Sequence, residues 1–419
     1  MENLFDFLDK QENNKMEENT SEETLEARDY IRLNSYVGSR MNTDFRKRNK
    51  LNKDVSTKLE FELIEENMED FFNDKTDEME IEELAPKFLI VDGSSLLSTS
   101  FYATARDLLF AKTDEQKEIA FTKLMQTSEG TYTNGIYMFF KTLLPLLEKH
   151  KITHLAVVLD RSRNTFRREI DPEYKGTRSE TPKPLKDQFK MLTEMLEEIN
   201  IPVFSQMEYE ADDFAGSLAK KFEKEIPIYL HTKDGDYLQL VTDNTKVWMV
   251  TGKADTMYEE LGIDKKQLDI PSGVFEYTPQ YVKHFEGVDP IQIIDVKSIE
   301  GDKSDNIRGV KGVGPTSSRP LIAHYGSIEE IYKAIDDLDA KGEKDMATYY
   351  KEELGIKRSP IKNLKTYKED AFISKKLATI KLDIEEIQNL DIDKFILNID
   401  NEKMNEKFRQ LEINSLIKK

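Results

Sequence analysis

From Pro86 onward the chain alternates between two hydrophobic patterns. The first is a short, continuous apolar run that stops at an acid. Lys87-Phe88-Leu89-Ile90-Val91 ends at Asp92-Gly93-Ser94-Ser95, His154-Leu155-Ala156-Val157-Val158-Leu159 ends at Asp160, and Ile226 to His231 leads into Lys233-Asp234-Gly235-Asp236. Runs of this length without polar alternation suit strands buried on both faces. The second pattern is helical periodicity, which predicts helices over Gly135 to Lys149, Leu185 to Ile199 and Ala211 to Lys224. Strands alternating with helices predict an α/β fold with a mostly parallel central sheet flanked by helices. Ligands of such sheets bind beyond the carboxyl ends of the strands. Asp92, Asp160 and Asp234 are therefore expected on one rim.

Residues 1–85 read differently. They are polar, with 24 acidic against 12 basic residues, a net of −12, a short apolar cluster at Leu4, Phe5, Phe7 and Leu8, and a weak helical stripe of Phe61, Leu63, Ile64, Phe71 and Phe72. A loosely structured acidic extension with one or two helices is expected there. The whole chain of 419 residues carries a net charge of −20, so the other 334 carry −8. Such a balance argues against a simple basic nucleic-acid binder, unless cations offset the acids locally. The chain contains no cysteine, which excludes disulfides, thiolate metal sites and a thiol nucleophile and fits a reducing cytoplasm. No apolar run is long enough for a bilayer span, and no signal peptide opens the chain, so a cytoplasmic protein without a membrane partner is expected.

The acids are clustered. Glu208-Tyr209-Glu210-Ala211-Asp212-Asp213 packs four carboxylates into six residues at a helix start. Glu210 and Asp213 share a helix face, whereas Asp212 and Asp213 point about 100° apart, so one turn can offer ligands to two neighbouring cations. Carboxylate oxygens suit hard ions such as Mg²⁺ or Mn²⁺. An acidic first turn is by itself ordinary helix-dipole complementation. The recurrence of acid pairs at Asp234/Asp236 and Asp302/Asp305 favours a metal site. Directly after Asp160 comes an island of net +3, Arg161 to Arg178, holding Arg161, Arg163, Arg167, Arg168, Lys175 and Arg178. Its placement points to phosphate contacts. Finally, Gly309-Val310-Lys311-Gly312-Val313-Gly314-Pro315 reads as a tight hairpin opening a helix from Thr316, with exposed amides suited to a nucleic-acid backbone. The five histidines are scattered and read as structural.

Taken together, these segments resemble the 5′ nuclease family, which includes the 5′–3′ exonuclease domain of bacterial DNA polymerase I, phage 5′ exonucleases and flap endonucleases. The resemblance covers about Phe88 to Ile380. It is carried by Ile90-Val91-Asp92-Gly93, Val157-Val158-Leu159-Asp160, Thr165-Phe166-Arg167-Arg168, Tyr174-Lys175-Gly176-Thr177-Arg178, Glu210-Ala211-Asp212-Asp213, Asp234-Gly235-Asp236, Gly301-Asp302-Lys303-Ser304-Asp305-Asn306, the glycine hairpin and Leu377-Ala378-Thr379-Ile380. It implies a PIN-like nuclease core with a C-terminal helix-hairpin-helix subdomain. The expected division is an extension over 1–85, the core over 86–290, the hairpin subdomain over 291–390 and a helical tail over 391–419.

The resemblance also implies roles. Asp92, Asp160, Glu210 and Asp212 would hold a first divalent cation, directly or through water, and Asp213, Asp234, Asp236, Asp302 and Asp305 would surround a second. Lys175 and Arg178 would approach the scissile phosphate. Tyr174 would stack on a terminal base and Arg167 would touch a nearby phosphate. Gly309, Lys311, Gly312 and Gly314 would hold duplex DNA, with K⁺ at the hairpin. The implied activity is metal-dependent hydrolysis of DNA at 5′ ends, nicks and flaps, extending to RNA–DNA hybrids, by a monomer acting in a bacterial cytoplasm, whether encoded by the bacterium or by a phage. The alternative is a non-catalytic DNA-binding or scaffold protein that keeps the fold. For residues 1–85 the choice lies between a solvated tail, a self-masking arm and a tether to a replication protein. Two departures from the pattern stand out. Pro315-Thr316-Ser317-Ser318 replaces a lysine usual after the hairpin, and Pro320 falls in what should be the next helix, at a first turn where proline is tolerated.

Overall fold

A computed structural model describes residues 85–417. Its centre is a six-stranded sheet of order β3-β2-β1-β4-β5-β6. The strands are β1 (Phe88–Asp92), β2 (His154–Val158), β3 (Val203–Phe204), β4 (Ile228–Thr232), β5 (Thr245–Val250) and β6 (Val274–Tyr277). Five run parallel, and β6 closes the edge antiparallel to β5.

The period of two along a strand explains why the runs are apolar throughout. On β1, Phe88 and Ile90 face one cluster that contains Phe214, Leu218 and Phe222 of the helix Ala211–Phe222. Leu89 and Val91 face the other, built with Leu97 and Phe101 of Gly93–Thr104, Phe139 and Leu143 of Asn134–Lys149, and Leu192 of Lys183–Glu198. Both faces are covered, so neither needs polar positions. The sheet is thus the α/β architecture expected, with the three acid-terminated runs as neighbours β2, β1 and β4. Strands β3, β5 and β6 were not among the expected elements.

A helical layer follows. The helix Ile293–Glu300 packs against Lys368–Ala378, and Pro315–Tyr325 packs on both Ile293–Glu300 and Ile328–Ile335. Between the first helix and the hairpin, Asp302 and Ile307 exchange backbone hydrogen bonds of 2.9 and 2.7 Å, which closes the Asp302-to-Ile307 loop. The chain then returns to the sheet. A Cβ at Gly216 would stand 2.6 Å from Ile380, so a glycine is needed where this segment crosses the helix Ala211–Phe222. The helix Asn401–Gln410 buries Met404 and Phe408 in the cluster on the Leu89 and Val91 face of the sheet. One expectation is corrected here: Pro320 lies in the interior of Pro315–Tyr325, beyond the first turn, and the helix continues through it. Among the described residues, no helix is long and apolar enough to cross a membrane.

Candidate active site

The parallel register puts Asp92, the last residue of β1, opposite Val158 of β2 and next to Thr232 at the end of β4. Asp160 and Asp234 each follow two residues beyond their strands, at the same rim. Asp92 caps the helix Gly93–Thr104. It accepts hydrogen bonds from the Ser95 amide at 2.9 Å and the Thr232 hydroxyl at 2.8 Å. Burial, with Asp160 nearby, pushes its pKa up to about 7 despite those bonds. Asp160 accepts the Ala211 amide at 3.0 Å, which ties the second strand end to the acidic helix start.

That helix start is fixed by Arg167, which is 1% exposed. Its guanidinium clasps both oxygens of Asp213 at 2.7 and 2.8 Å and donates to the carbonyls of Leu377 and Thr379 at 2.9 and 3.1 Å. Burial opposes its charge, but Asp212, Asp213 and Glu210 hold its pKa well above the ordinary value. Asp213 also accepts the amides of Glu210 and Lys381. Two expectations are corrected by this pair. Arg167 cannot reach a phosphate, and Asp213, with both oxygens taken and no exposure, cannot face a second cation. Together they clamp the helix Ala211–Phe222 to the segment 377–381.

Asp212 points the other way. Its Oδ1 is buried without a hydrogen-bond partner, and burial, reinforced by Asp213, raises its pKa well above the usual carboxylate range. Glu210 accepts from Lys175 at 2.8 Å, Tyr174 at 3.1 Å and Thr165 at 3.2 Å. Lys175 adopts a left-handed φ of +54°, and its amide donates to the Asp305 carbonyl at 2.8 Å. Its ammonium lies 3.7 Å from the Asp305 carboxylate, and Arg178 pairs with the other oxygen of that group. Lys175 and Arg178 are therefore brought to the cluster as expected. Tyr174 is too, but not as a stacking surface. Its ring is 2% exposed among Ile307, Leu377 and Ala378, and its hydroxyl lies 3.1 Å from Glu210 and 3.2 Å from Asp305, which corrects that expectation.

On the far side, Asp234 accepts the Asp236 amide at 2.9 Å, and burial raises its pKa. Lys297 lies between Asp236 and Asp302, 2.8 Å from the latter. Burial alone would raise the pKa of Asp302, but Lys297 and Ser304 bring it down to about 2. At the hairpin, Gly309 is buried with φ +63°, and its amide donates to Ser374 at 3.0 Å, so its expected DNA contact is corrected to a structural one. Lys311 and Gly312 are exposed and Gly314 is half-buried. Gly314 caps the helix Pro315–Tyr325, and the Lys311 carbonyl is held by Asn363 at 2.8 Å.

The donors suit divalent cations. Asp92, Asp160, Glu210, Asp212, Asp234, Asp236, Asp302 and Asp305 gather around Arg167, Lys175, Arg178 and Lys297, with Asp213 held apart in the Arg167 clasp. Asp212 Oδ1 and the Tyr237 hydroxyl are buried and unpartnered beside these acids. The set fits hard, oxygen-preferring ions. Among the described residues, no group of three or more acidic or histidine side chains is already drawn together to hold a metal ion. Mg²⁺ keeps several waters and takes one or two carboxylates directly, so it does not require such a group. A cleft of about 860 Å³ opens beside Asp160 and Glu210, walled by Lys175, Arg178, Arg161 and Lys186. The sequence reading missed Thr232, Tyr237 and Lys297. Thr232 and Tyr237 flank the recognised Asp234-Gly235-Asp236 motif, whereas Lys297 lies apart from it.

Comparison with known proteins decides the family. Residues 87–267 match the model of the 5′-3′ exonuclease N-terminal resolvase-like domain, and residues 288–403 match that of the 5′-3′ exonuclease C-terminal SAM fold. The chain is similar to a 5′-3′ exonuclease of Halalkalibacterium halodurans, 33% identical over 316 residues that cover 75% of this chain and 89% of that protein. This chain belongs to the 5′–3′ exonuclease family. It is a nuclease of the hydrolase class. It is also similar to DNA polymerase I of Bacillus subtilis, 34% identical over 298 residues, 71% of this chain but only 28% of the polymerase. Among solved structures, T5 5′-exonuclease with bound zinc superposes with a TM-score of 0.49 at 20% identity, covering 78% of this chain and 99% of that one.

Proposed function

We propose that this 5′–3′ exonuclease cleaves DNA at 5′ ends, nicks and flaps, with two divalent cations, Mg²⁺ or Mn²⁺, held among its carboxylates. The observation that carries the reading is the meeting of Asp92, Asp160 and Asp234 from three adjacent strand ends with Glu210, Asp212, Asp236, Asp302 and Asp305. Asp92, Asp160, Glu210 and Asp212 are the residues for one cation, and Asp234, Asp236, Asp302 and Asp305 for the other. Bound there, the cations would supply an activated water and stabilise the attacking and leaving oxygens.

The chain's own groups do the rest. Lys175 and Arg178 line the cleft, where their charge can offset the phosphate as it becomes more negative. Lys175 is paired with Glu210 and Asp305 and Arg178 with Asp305, so both stay fully charged and aimed at the cluster. The Asp213–Arg167 clamp fixes Glu210 and Asp212 relative to the segment 377–381. The exposed amides and side chain around Lys311, Gly312 and Gly314 hold a duplex backbone without reading its sequence, with K⁺ as an accessory ion. Unstacking a terminal nucleotide costs a few kcal/mol, which favours frayed ends, nicks and flaps. An RNA–DNA hybrid presents the same phosphates and falls within this substrate class.

The test is digestion of 5′-labelled flapped, nicked and blunt duplexes with Mg²⁺, with Mn²⁺ and with chelator, resolving product length. Short labelled products that require the metal are expected. Intact substrates under every metal condition would end the reading.

A further inference from the structure

The far half of the cluster already contains a cation of its own. Lys297 sits on the helix Ile293–Glu300, whose Val296 and Ile299 are buried against the hydrophobic core. That anchoring fixes the reach of the side chain. Its ammonium pairs with both Asp236, beyond β4, and Asp302, in the loop that follows its own helix. These two carboxylates come from separate parts of the fold, and Lys297 bridges them. The lysine side chain is 20% exposed, and it does not line the cleft beside Asp160 and Glu210, whereas Lys175 does. Lys297 is therefore placed to neutralise carboxylates rather than to meet a phosphate. The other half is built differently. Asp92 is held by the Ser95 amide and the Thr232 hydroxyl, Asp160 by the Ala211 amide, and Asp212 Oδ1 by nothing.

We propose that Lys297 is a tethered counter-cation that holds Asp236 and Asp302 together, and that a divalent cation entering this half must displace it. The inference rests on the reading that these carboxylates receive divalent cations. It goes further in giving the two cations unequal status. In the half around Asp92, Asp160, Glu210 and Asp212 the lysine pair falls on Glu210, so an ion can enter at Asp92, Asp160 and Asp212 without displacing a lysine. The half around Asp234, Asp236, Asp302 and Asp305 fills second and more weakly, because the incoming ion must first break a lysine's ion pairs. Lys297 is thus a positioning residue that sets cation affinity, and it keeps the acid-rich rim together while cations are scarce.

The experiment is a Mn²⁺ titration of the full chain without nucleic acid, reading free Mn²⁺ by electron paramagnetic resonance, beside thermal melting in chelator and in Mg²⁺. Wild type is expected to bind two ions in separable steps. Lys297→Met keeps the stem and removes the charge. It should tighten the second step by roughly tenfold, given the size of partly screened ion pairs, leave the first unchanged, and lower the melting temperature in chelator more than in Mg²⁺. A second step that is unchanged or weaker in Lys297→Met would overturn the proposal. Should that variant not fold in chelator, Lys297→Arg carries the test. It keeps the charge, so its second step must stay as weak as wild type, and a tenfold gain would overturn the idea. Two-ion binding and cleavage that ignore Lys297 would sink this inference alone. No Mn²⁺ binding and no metal-dependent cleavage in wild type would sink the nuclease reading with it.

Discussion

Carboxylates of one chemical type behave in opposite ways on the two sides of this site. Burial, reinforced by neighbouring acids, drives the pKa values of Asp92 and Asp212 up, that of Asp92 to about 7, and for Asp212 it outweighs Arg167 and Lys175 nearby. Asp302 is also buried in part, but Lys297 beside it brings its pKa down to about 2. Asp213 shows the limit of the second arrangement, with a bidentate arginine and no solvent at all. The difference teaches that density of acids alone does not define a cation site. What separates the structural Asp213 from the candidate ligands is that both of its oxygens are taken by one arginine with no exposure left.

The largest effect outside the chemistry should come from breaking the most completely paired acid. Arg167→Met leaves Asp213 buried without its partner, which should cost about 3–5 kcal/mol of stability. Asp213→Asn added to it should recover part of that loss, as a double-mutant cycle in denaturant would show. Mg²⁺ should rescue neither, because Asp213 faces away from the cations. Next in size is Lys175→Ala, which should slow single-turnover cleavage of a flap by about 10²–10³. Its DNA affinity, measured in Ca²⁺, should fall only modestly.

A smaller effect separates the two halves by pH in the metal-free protein. Asp92 has a folded pKa of about 7 against an unfolded value near 3.8, so its contribution is greatest below the unfolded value and is lost as pH rises through 7. Asp302 has the opposite sign. Its contribution is present above its unfolded value of 3.8 and is lost as pH falls toward 2. Melting curves in chelator should therefore show Asp92→Asn flattening the decline between pH 4 and 7. Asp302→Asn should flatten only the acid limb. The same response from both variants would erase the distinction between the halves.

The parts of this picture legible in the sequence were those set by local period. Apolar runs ending at Asp92, Asp160 and Asp234 fixed three neighbouring strands and one rim, because side chains of a parallel sheet buried on both faces leave no room for polar alternation. The spacing within Glu210-Ala211-Asp212-Asp213 showed that these acids diverge, but not which would be clamped. That depended on Arg167 and on the carbonyls of Leu377 and Thr379, which lie far apart along the chain. Tyr174 stands among charges and turn residues and read as an exposed ring. It is buried because two carboxylates satisfy its hydroxyl from different elements. Strand β3 has two residues, too few for any pattern. Lys297 was invisible for the same reason as Arg167, since its partner Asp236 comes from another strand end.

The most direct test of the central claim is single-turnover cleavage of a 5′-labelled flap by Asp212→Asn at saturating Mg²⁺, set beside its DNA binding in Ca²⁺. Asp212 carries a buried oxygen that has no hydrogen-bond partner. Cleavage should fall by several orders of magnitude while binding stays near wild type, because the hairpin contacts remain. Cleavage at nearly the wild-type rate would contradict the account and leave the carboxylate cluster a structural feature.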